Sequence, residues 1–199
     1  MLNETLKDYH IILASKSPRR QQFFKDLGVD VEIRLKPVVE EYPQRLNHFE
    51  ISDYLAQLKA LPYKKDLNPK DILITSDTIV WHNKKALGKP KDAAEAFKLI
   101  QSLSNATHEV ITSVCFTSTT TEITVNAVTK VTFKKLSEEE IHYYINTYKP
   151  FDKAGAYGIQ EWIGQIGVTK IEGSYFNVMG LPTHLVYQTL NDMVNSRQL

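Results

Sequence analysis

The segment Ser15-Lys16-Ser17-Pro18-Arg19-Arg20 puts two arginines into the first turn of a predicted helix. Aligned peptide dipoles make that end positive, so each cation there costs from a few tenths to ~1 kcal/mol. A bound anion would remove the conflict. Backbone N–H groups at a helix start favour phosphate. Arginine adds paired, charge-assisted bonds to its oxygens, and Ser15 adds a hydroxyl. Two solvated surface arginines are the plainer alternative, and the local pattern leaves both open. The spacing is neither a Gly-x4-Gly-Lys-Ser/Thr phosphate loop nor a dinucleotide fingerprint.

An acid, Asp77, follows the apolar run Ile72-Leu73-Ile74 and precedes Thr78. Ligands of open α/β sheets gather at the carboxyl ends of strands. A carboxylate there can hold Mg²⁺ beside phosphates or orient a water; a turn or cap aspartate is the alternative. Lys89, in Gly88-Lys89-Pro90, is placed to return a cation to the same region, unless that tripeptide is only an exposed turn. Lys153-Ala154-Gly155-Ala156-Tyr157-Gly158-Ile159-Gln160 combines a cation, small residues and an amide. Glycine lets backbone approach a ligand closely. The Gln160 amide has both a donor and an acceptor, which match uracil or thymine; flipped, they match cytosine, so Gln160 alone does not fix the base. Residues 173–182, Gly-Ser-Tyr-Phe-Asn-Val-Met-Gly-Leu-Pro, read as a structural loop before the last helix.

The elements that must carry these residues alternate. Ile11 to Ala14 reads as a buried strand. Ser17 suits a helix N-cap, Pro18 the first helical position and Gly28 the stop. Val29 to Leu35 alternates like a strand. Phe49 to Leu61 is helical by its apolar stripe of Ile51, Tyr54, Leu55 and Leu58. Asp71 to Ser76 reads as a buried strand ending at Asp77, with Ile79 to Trp81 extended and a turn at Asn83-Lys84. A helix over Ala93 to Leu103 follows. Val110 to Thr117 and Ile123 to Phe133, rich in Val, Thr and Ile, read as a hairpin. Ser137 to Glu140 resembles a capping box opening a helix to Tyr148. Val168 to Ile171 reads as a strand, and Leu185 to Val194 as a closing helix. Pro62 and Pro69 mark loops. The pattern is α/β with a mixed sheet.

The 199 residues fit one domain or two small lobes sharing a core. The 24 basic and 23 acidic residues argue against a nucleic-acid or anionic-membrane surface, which needs clustered excess basic charge. The single cysteine, Cys115, cannot form an internal disulfide, and its apolar neighbours predict buried packing. Residues 1–9 are polar, unlike a signal peptide, and no apolar stretch approaches the roughly 20 residues of a membrane span. Cytoplasmic location is the expectation. The six histidines show no metal-ligand spacing, and Trp81 and Trp162 read as packing.

Taken together, residues 13–20 (Leu-Ala-Ser-Lys-Ser-Pro-Arg-Arg), Ser76-Asp77-Thr78, Gly88-Lys89-Pro90, residues 152–160 (Asp-Lys-Ala-Gly-Ala-Tyr-Gly-Ile-Gln) and 171–182 resemble the Maf family of nucleotide pyrophosphatases. The matches run in order over nearly the whole chain. The resemblance implies a mixed, elongated central sheet flanked by helices, two lobes around a substrate cleft, and a single domain over 1–199. It implies often homodimeric enzymes that use a divalent cation, Mg²⁺ or Mn²⁺, to split nucleoside triphosphates into monophosphate and pyrophosphate. Asp77 matches the proton acceptor and a metal ligand. Arg19, Thr78 and Gln160 match positions tied to substrate choice. Ser15, Arg20, Lys59, Lys89 and Lys153 match phosphate and substrate contacts. The wording of residues 154–160 resembles the dTTP/UTP branch. A pyrophosphatase for CTP or 7-methyl-GTP is the alternative, and so is a non-catalytic nucleotide-binding regulator of cell division. The family's acidic loop usually reads Asp-x-Asp-Glu. Here Val38 replaces one acid in Pro37-Val38-Val39-Glu40-Glu41, leaving Glu41 as the expected metal or water ligand.

Overall fold

The computed structural model describes residues 2–195. Along the chain these form α1 (Leu2–Leu6), β1 (His10–Leu13), α2 (Pro18–Asp26), β2 (Glu32–Ile33) and α3 (Phe49–Ala60). A 3₁₀ turn over Leu61–Asp66 leads to β3 (Asp71–His82), β4 (Lys85–Leu87), α4 (Ala93–Leu103), β5 (Thr107–Thr117) and β6 (Glu122–Phe133). Then come α5 (Glu138–Tyr148), a 3₁₀ turn at Ala154–Ala156, α6 (Trp162–Gly167), β7 (Val168–Glu172), α7 (Tyr175–Val178) and α8 (Thr183–Asn195). Seven strands make one mixed sheet in the order β2-β1-β3-β5-β6-β7, with β4 on β3. β1 is parallel to β2 and β3; the β3–β4 and β6–β7 pairs are antiparallel.

Local chemistry sets the boundaries. The Ser17 hydroxyl accepts from Arg20 N at 3.4 Å, Pro18 opens α2, and Gly28 follows its end at φ 69°. A side-chain oxygen at this position replaces the missing helical acceptor for the first-turn N–H groups. Ser137 and Glu140 form the expected reciprocal box at α5. Asn83 and Lys84, at φ 48° and 60°, make the turn from β3 to β4, the left-handed pair that a two-residue hairpin requires.

The chain divides into two compact units. Among the described residues, the first comprises 2–77, 112–127 and 180–195. Its core sets Ala56 and Ala60 of α3, with Tyr63, against Ile12, Leu73 and Cys115. Cys115 is fully buried, as expected of a packing residue. The second unit comprises 78–111 and 128–179. There α4 buries Ala96, Ile100 and Leu103, and α5 buries Ile141, Tyr144 and Ile145, around Val131, Phe133 and Tyr157. Complete burial of a side chain such as Ile100 stabilises by about 1.5–3 kcal/mol. β3, β5 and β6 each contribute residues to both units.

Several elements differ from the sequence expectation. β3 does not end at Asp77; it runs unbroken to His82. Thr75, Ser76 and Asp77 are polar yet buried within it. The β1–β3 pairing stops at Leu13–Ile74, so Asp77 lies three residues beyond the end of the neighbouring strand rather than at the end of its own. β2 spans two residues instead of seven and is exposed. A 3₁₀ turn occupies the expected loop at Pro62, α6 occupies a stretch to which the sequence assigns no element, and α7 lies within the loop expected at 173–182. No helix among the described residues is long and apolar enough to cross a membrane.

Candidate active site

Asp77 is 7% exposed. Lys59 Nζ donates to its Oδ1 at 2.6 Å and lies 3.1 Å from Glu40 Oε2. One ammonium therefore bridges two carboxylates. Arg20 lies behind this group, its Nε donating to Gly180 O at 2.8 Å and an Nη to Ser76 O at 3.0 Å. Burial raises the Asp77 pKa above the ordinary carboxylate range, Lys59 and then Arg20 oppose the rise, and Glu40 adds to it. Burial also lowers the Arg20 pKa, opposed by Asp77, while Arg19 pushes the same way as burial. An arginine remains charged under such a shift. The result is a carboxylate more basic than usual, ringed by cations, the condition suited to accepting a proton.

The elements explain the convergence. Lys59 occupies the last turn of α3, where a cation is favoured by the helix dipole. α3 is fastened to the strands beneath it. Thr75 Oγ1 donates to Ala56 O at 2.7 Å, and Asp53 accepts from Ser113 Oγ at 2.6 Å and Asn126 Nδ2 at 3.1 Å. At the start of α2 the buried Ser15 hydroxyl accepts from Ser17 N at 3.2 Å. With Ser17 capping Arg20 N and Pro18 lacking an N–H, local serines already satisfy much of this helix start. Any anion affinity there falls on the side chains of Ser15, Arg19 and Arg20 more than on backbone.

In the second unit, Gly155 N donates to Gly88 O at 3.0 Å, joining the turn that carries Lys89 to the loop that carries Lys153. Gly155 has φ 68°, and a Cβ there would stand 2.9 Å from Val80 Cγ2, so glycine alone fits without a shift. Lys153 Nζ lies 3.1 Å from Glu161 Oε1 and 2.8 Å from Asp152 Oδ1. Lys89 is exposed; Gln160 and Thr78 are half-buried.

The pattern described as "Maf-like protein" matches residues 10–193. The chain belongs to the Maf family. Within this Maf group, a Flavobacterium johnsoniae protein named dTTP/UTP pyrophosphatase is 63% identical over 194 residues, 98% of this chain and 100% of that protein. A Christiangramia forsetii protein of the same name is 59% identical, covering 98% and 100%. A third, from Phocaeicola vulgatus, is 50% identical over 96% and 99%.

Of the residues named from sequence, the Maf fold brings Arg20, Lys59 and Asp77 together in the first unit, and joins the Lys89 and Lys153 segments in the second. Sequence reasoning passed over Glu40. Glu41, the expected ligand, is exposed; its neighbour Glu40 is also exposed, with 46% of its side chain accessible, yet reaches Lys59 at 3.1 Å. Residues 34–48 contain no helix or strand, so no periodicity announces which acid meets Lys59. Among the described residues no group of three or more His, Cys, Asp and Glu could hold a metal. Asp77 and Glu40 are carboxylates of the kind Mg²⁺ takes one or two of, with waters and substrate phosphates completing its shell; here the Lys59 ammonium lies between them.

Proposed function

We propose that this Maf protein is a nucleoside triphosphate pyrophosphatase that hydrolyses dTTP and UTP to the nucleoside monophosphate and pyrophosphate, as the names of its relatives state of them. The observation that carries the chemistry is the buried Asp77 held by Lys59 at 2.6 Å with Arg20 behind it. Hydrolysis needs a group to take a proton from water and cations to meet charge on the leaving pyrophosphate. Asp77 accepts the proton. Lys59, Arg19 and Arg20 stabilise the growing negative charge, usually the largest catalytic contribution. Lys89 and Lys153 add substrate contacts, and Thr78 and Gln160 select the base, in the roles their positions take in the family pattern. Asp77 and Glu40, with Glu41 adjacent, would hold a divalent cation, Mg²⁺ or Mn²⁺, whose chemistry is to neutralise phosphate charge and acidify water.

The test is product analysis with dTTP, UTP, CTP and 7-methyl-GTP in ¹⁸O-water with Mg²⁺ or Mn²⁺. Pyrophosphate and ¹⁸O-labelled monophosphate from dTTP and UTP are expected, because attack at the α-phosphorus leaves pyrophosphate unlabelled. Faster cleavage of CTP or 7-methyl-GTP would overturn the substrate assignment. Absence of pyrophosphate from every nucleotide would point instead to a nucleotide-binding protein.

A further inference from the structure

Tyr144 and Glu161 meet inside the second unit, against the Gly-rich loop. Tyr144, on α5, is fully buried. Its hydroxyl donates to Glu161 Oε2 and accepts from Gly158 N at 3.0 Å. Both hydrogen-bonding roles of the phenol are thus used. Burial and then Glu161 raise the Tyr144 pKa, so the hydroxyl stays a donor. The other Glu161 oxygen lies 3.1 Å from Lys153 Nζ, with the Lys153 and Glu161 side chains 10% and 18% exposed. Asp152 also meets Lys153 but is 68% exposed, and such surface pairs fix little. Gly158 leaves room for this fold: a Cβ there would stand 2.9 Å from Glu161 Cδ.

The Lys153 ammonium is therefore tied to the Glu161 carboxylate, and that carboxylate and the Gly158 N–H meet at one phenol oxygen. Packing does not require the oxygen. The ring stacks on Tyr148 with centroids 5.2 Å apart, which phenylalanine would also do. A buried hydroxyl must be partnered or it costs stability, and here its partners are the loop itself.

We propose that Tyr144 and Glu161 are positioning residues for substrate binding: Glu161 holds the Lys153 ammonium in place for phosphate, and Tyr144 fixes the backbone path that presents Gln160 to the base. This rests on reading Lys153 and Gln160 as substrate contacts, so both are tested alongside. Steady-state kinetics with dTTP and dCTP, and thermal melts, are measured for wild type, Tyr144→Phe, Glu161→Gln, Lys153→Met and Gln160→Ala.

Tyr144→Phe raises the KM for dTTP about tenfold, the effect of one lost hydrogen bond to a charged group. It also weakens the preference for dTTP over dCTP, with a smaller change in kcat. Glu161→Gln still accepts from Tyr144, so it keeps the base preference while its KM rises to that of Lys153→Met. Tyr144→Phe or Glu161→Gln with unchanged KM and preference, where Lys153→Met and Gln160→Ala do change them, overturns the positioning role alone. Unchanged kinetics in Lys153→Met and Gln160→Ala overturn the substrate-contact reading and this inference with it. If Tyr144→Phe does not fold, Glu161→Gln decides by whether its KM rises with that of Lys153→Met.

Discussion

His108 makes the second unit's stability depend on pH. The imidazole is 2% exposed, its Nε2 lies 2.7 Å from the Tyr157 hydroxyl, and it packs against Phe133. Burial, helped by His82, pushes its pKa down to about 3, whereas an unfolded histidine titrates near ~6.5. Between these values the unfolded chain binds a proton that the folded chain refuses. Stability is therefore complete above the unfolded pKa and is lost as pH falls toward the folded one, at about 1.36 kcal/mol per pH unit. From pH ~7 to ~4.5 this comes to about 2.5 kcal/mol, against a typical total of roughly 5–15 kcal/mol. Other groups titrate in the same range, so the comparison needs a variant that cannot. His108→Gln keeps an amide to pair with Tyr157 and removes the titration. Urea unfolding of both proteins is measured at intervals across that range. The wild type loses about 2.5 kcal/mol more than His108→Gln. Parallel loss in the two proteins would refute the assignment of a buried neutral imidazole.

Three further perturbations test the site and its frame. Asp77→Asn removes charge and basicity at nearly constant size; kcat falls by roughly 10²-fold or more, and near-normal turnover in a folded variant would take Asp77 out of the chemistry. Arg19→Ala weakens binding or turnover by about 1.5–3 kcal/mol while the empty protein keeps its melting temperature; strong destabilisation with an unchanged ligand-induced shift would make Arg19 structural. Gly155→Ala forces a Cβ at φ 68° against Val80 and destabilises by about 1–3 kcal/mol in urea unfolding; an unchanged midpoint would refute the close fit at Val80.

The boundaries that were legible in sequence are those set by residues acting locally. Ser17-Pro18, Ser137 with Glu140, and Asn83-Lys84 each specify a cap or turn through their own side chains or φ preference, and each stands where expected. The course of β3 was not legible. Thr75, Ser76 and Asp77 break the apolar run, and tertiary partners make Thr75 and Asp77 tolerable inside a strand. Thr75 bonds Ala56 O and Asp77 pairs with Lys59, both on α3. α6, with glycines at 164 and 167, lacks a strong helical signature. In the site, the arginine pair and the acid stood out by residue type and local setting. Glu40 and Glu161 did not, because their significance lies in partners at Lys59, Lys153 and Tyr144 that spacing along the chain does not reveal.

The bond from Arg20 Nε to Gly180 O joins positions 160 residues apart. It imposes an order on assembly. During synthesis β1, α2 and α3 emerge early and can form local contacts, but one of the two carbonyls that hold Arg20, Gly180 O, is made 160 residues later, just before α8. Contacts of such separation form late, since the chain must first give up the entropy of a long loop. A nascent or C-terminally shortened chain can thus hold much of the sheet with Arg20 tied to Ser76 O but without its second carbonyl partner, Gly180 O. Recovery of pyrophosphatase activity on refolding is expected to lag behind recovery of secondary structure.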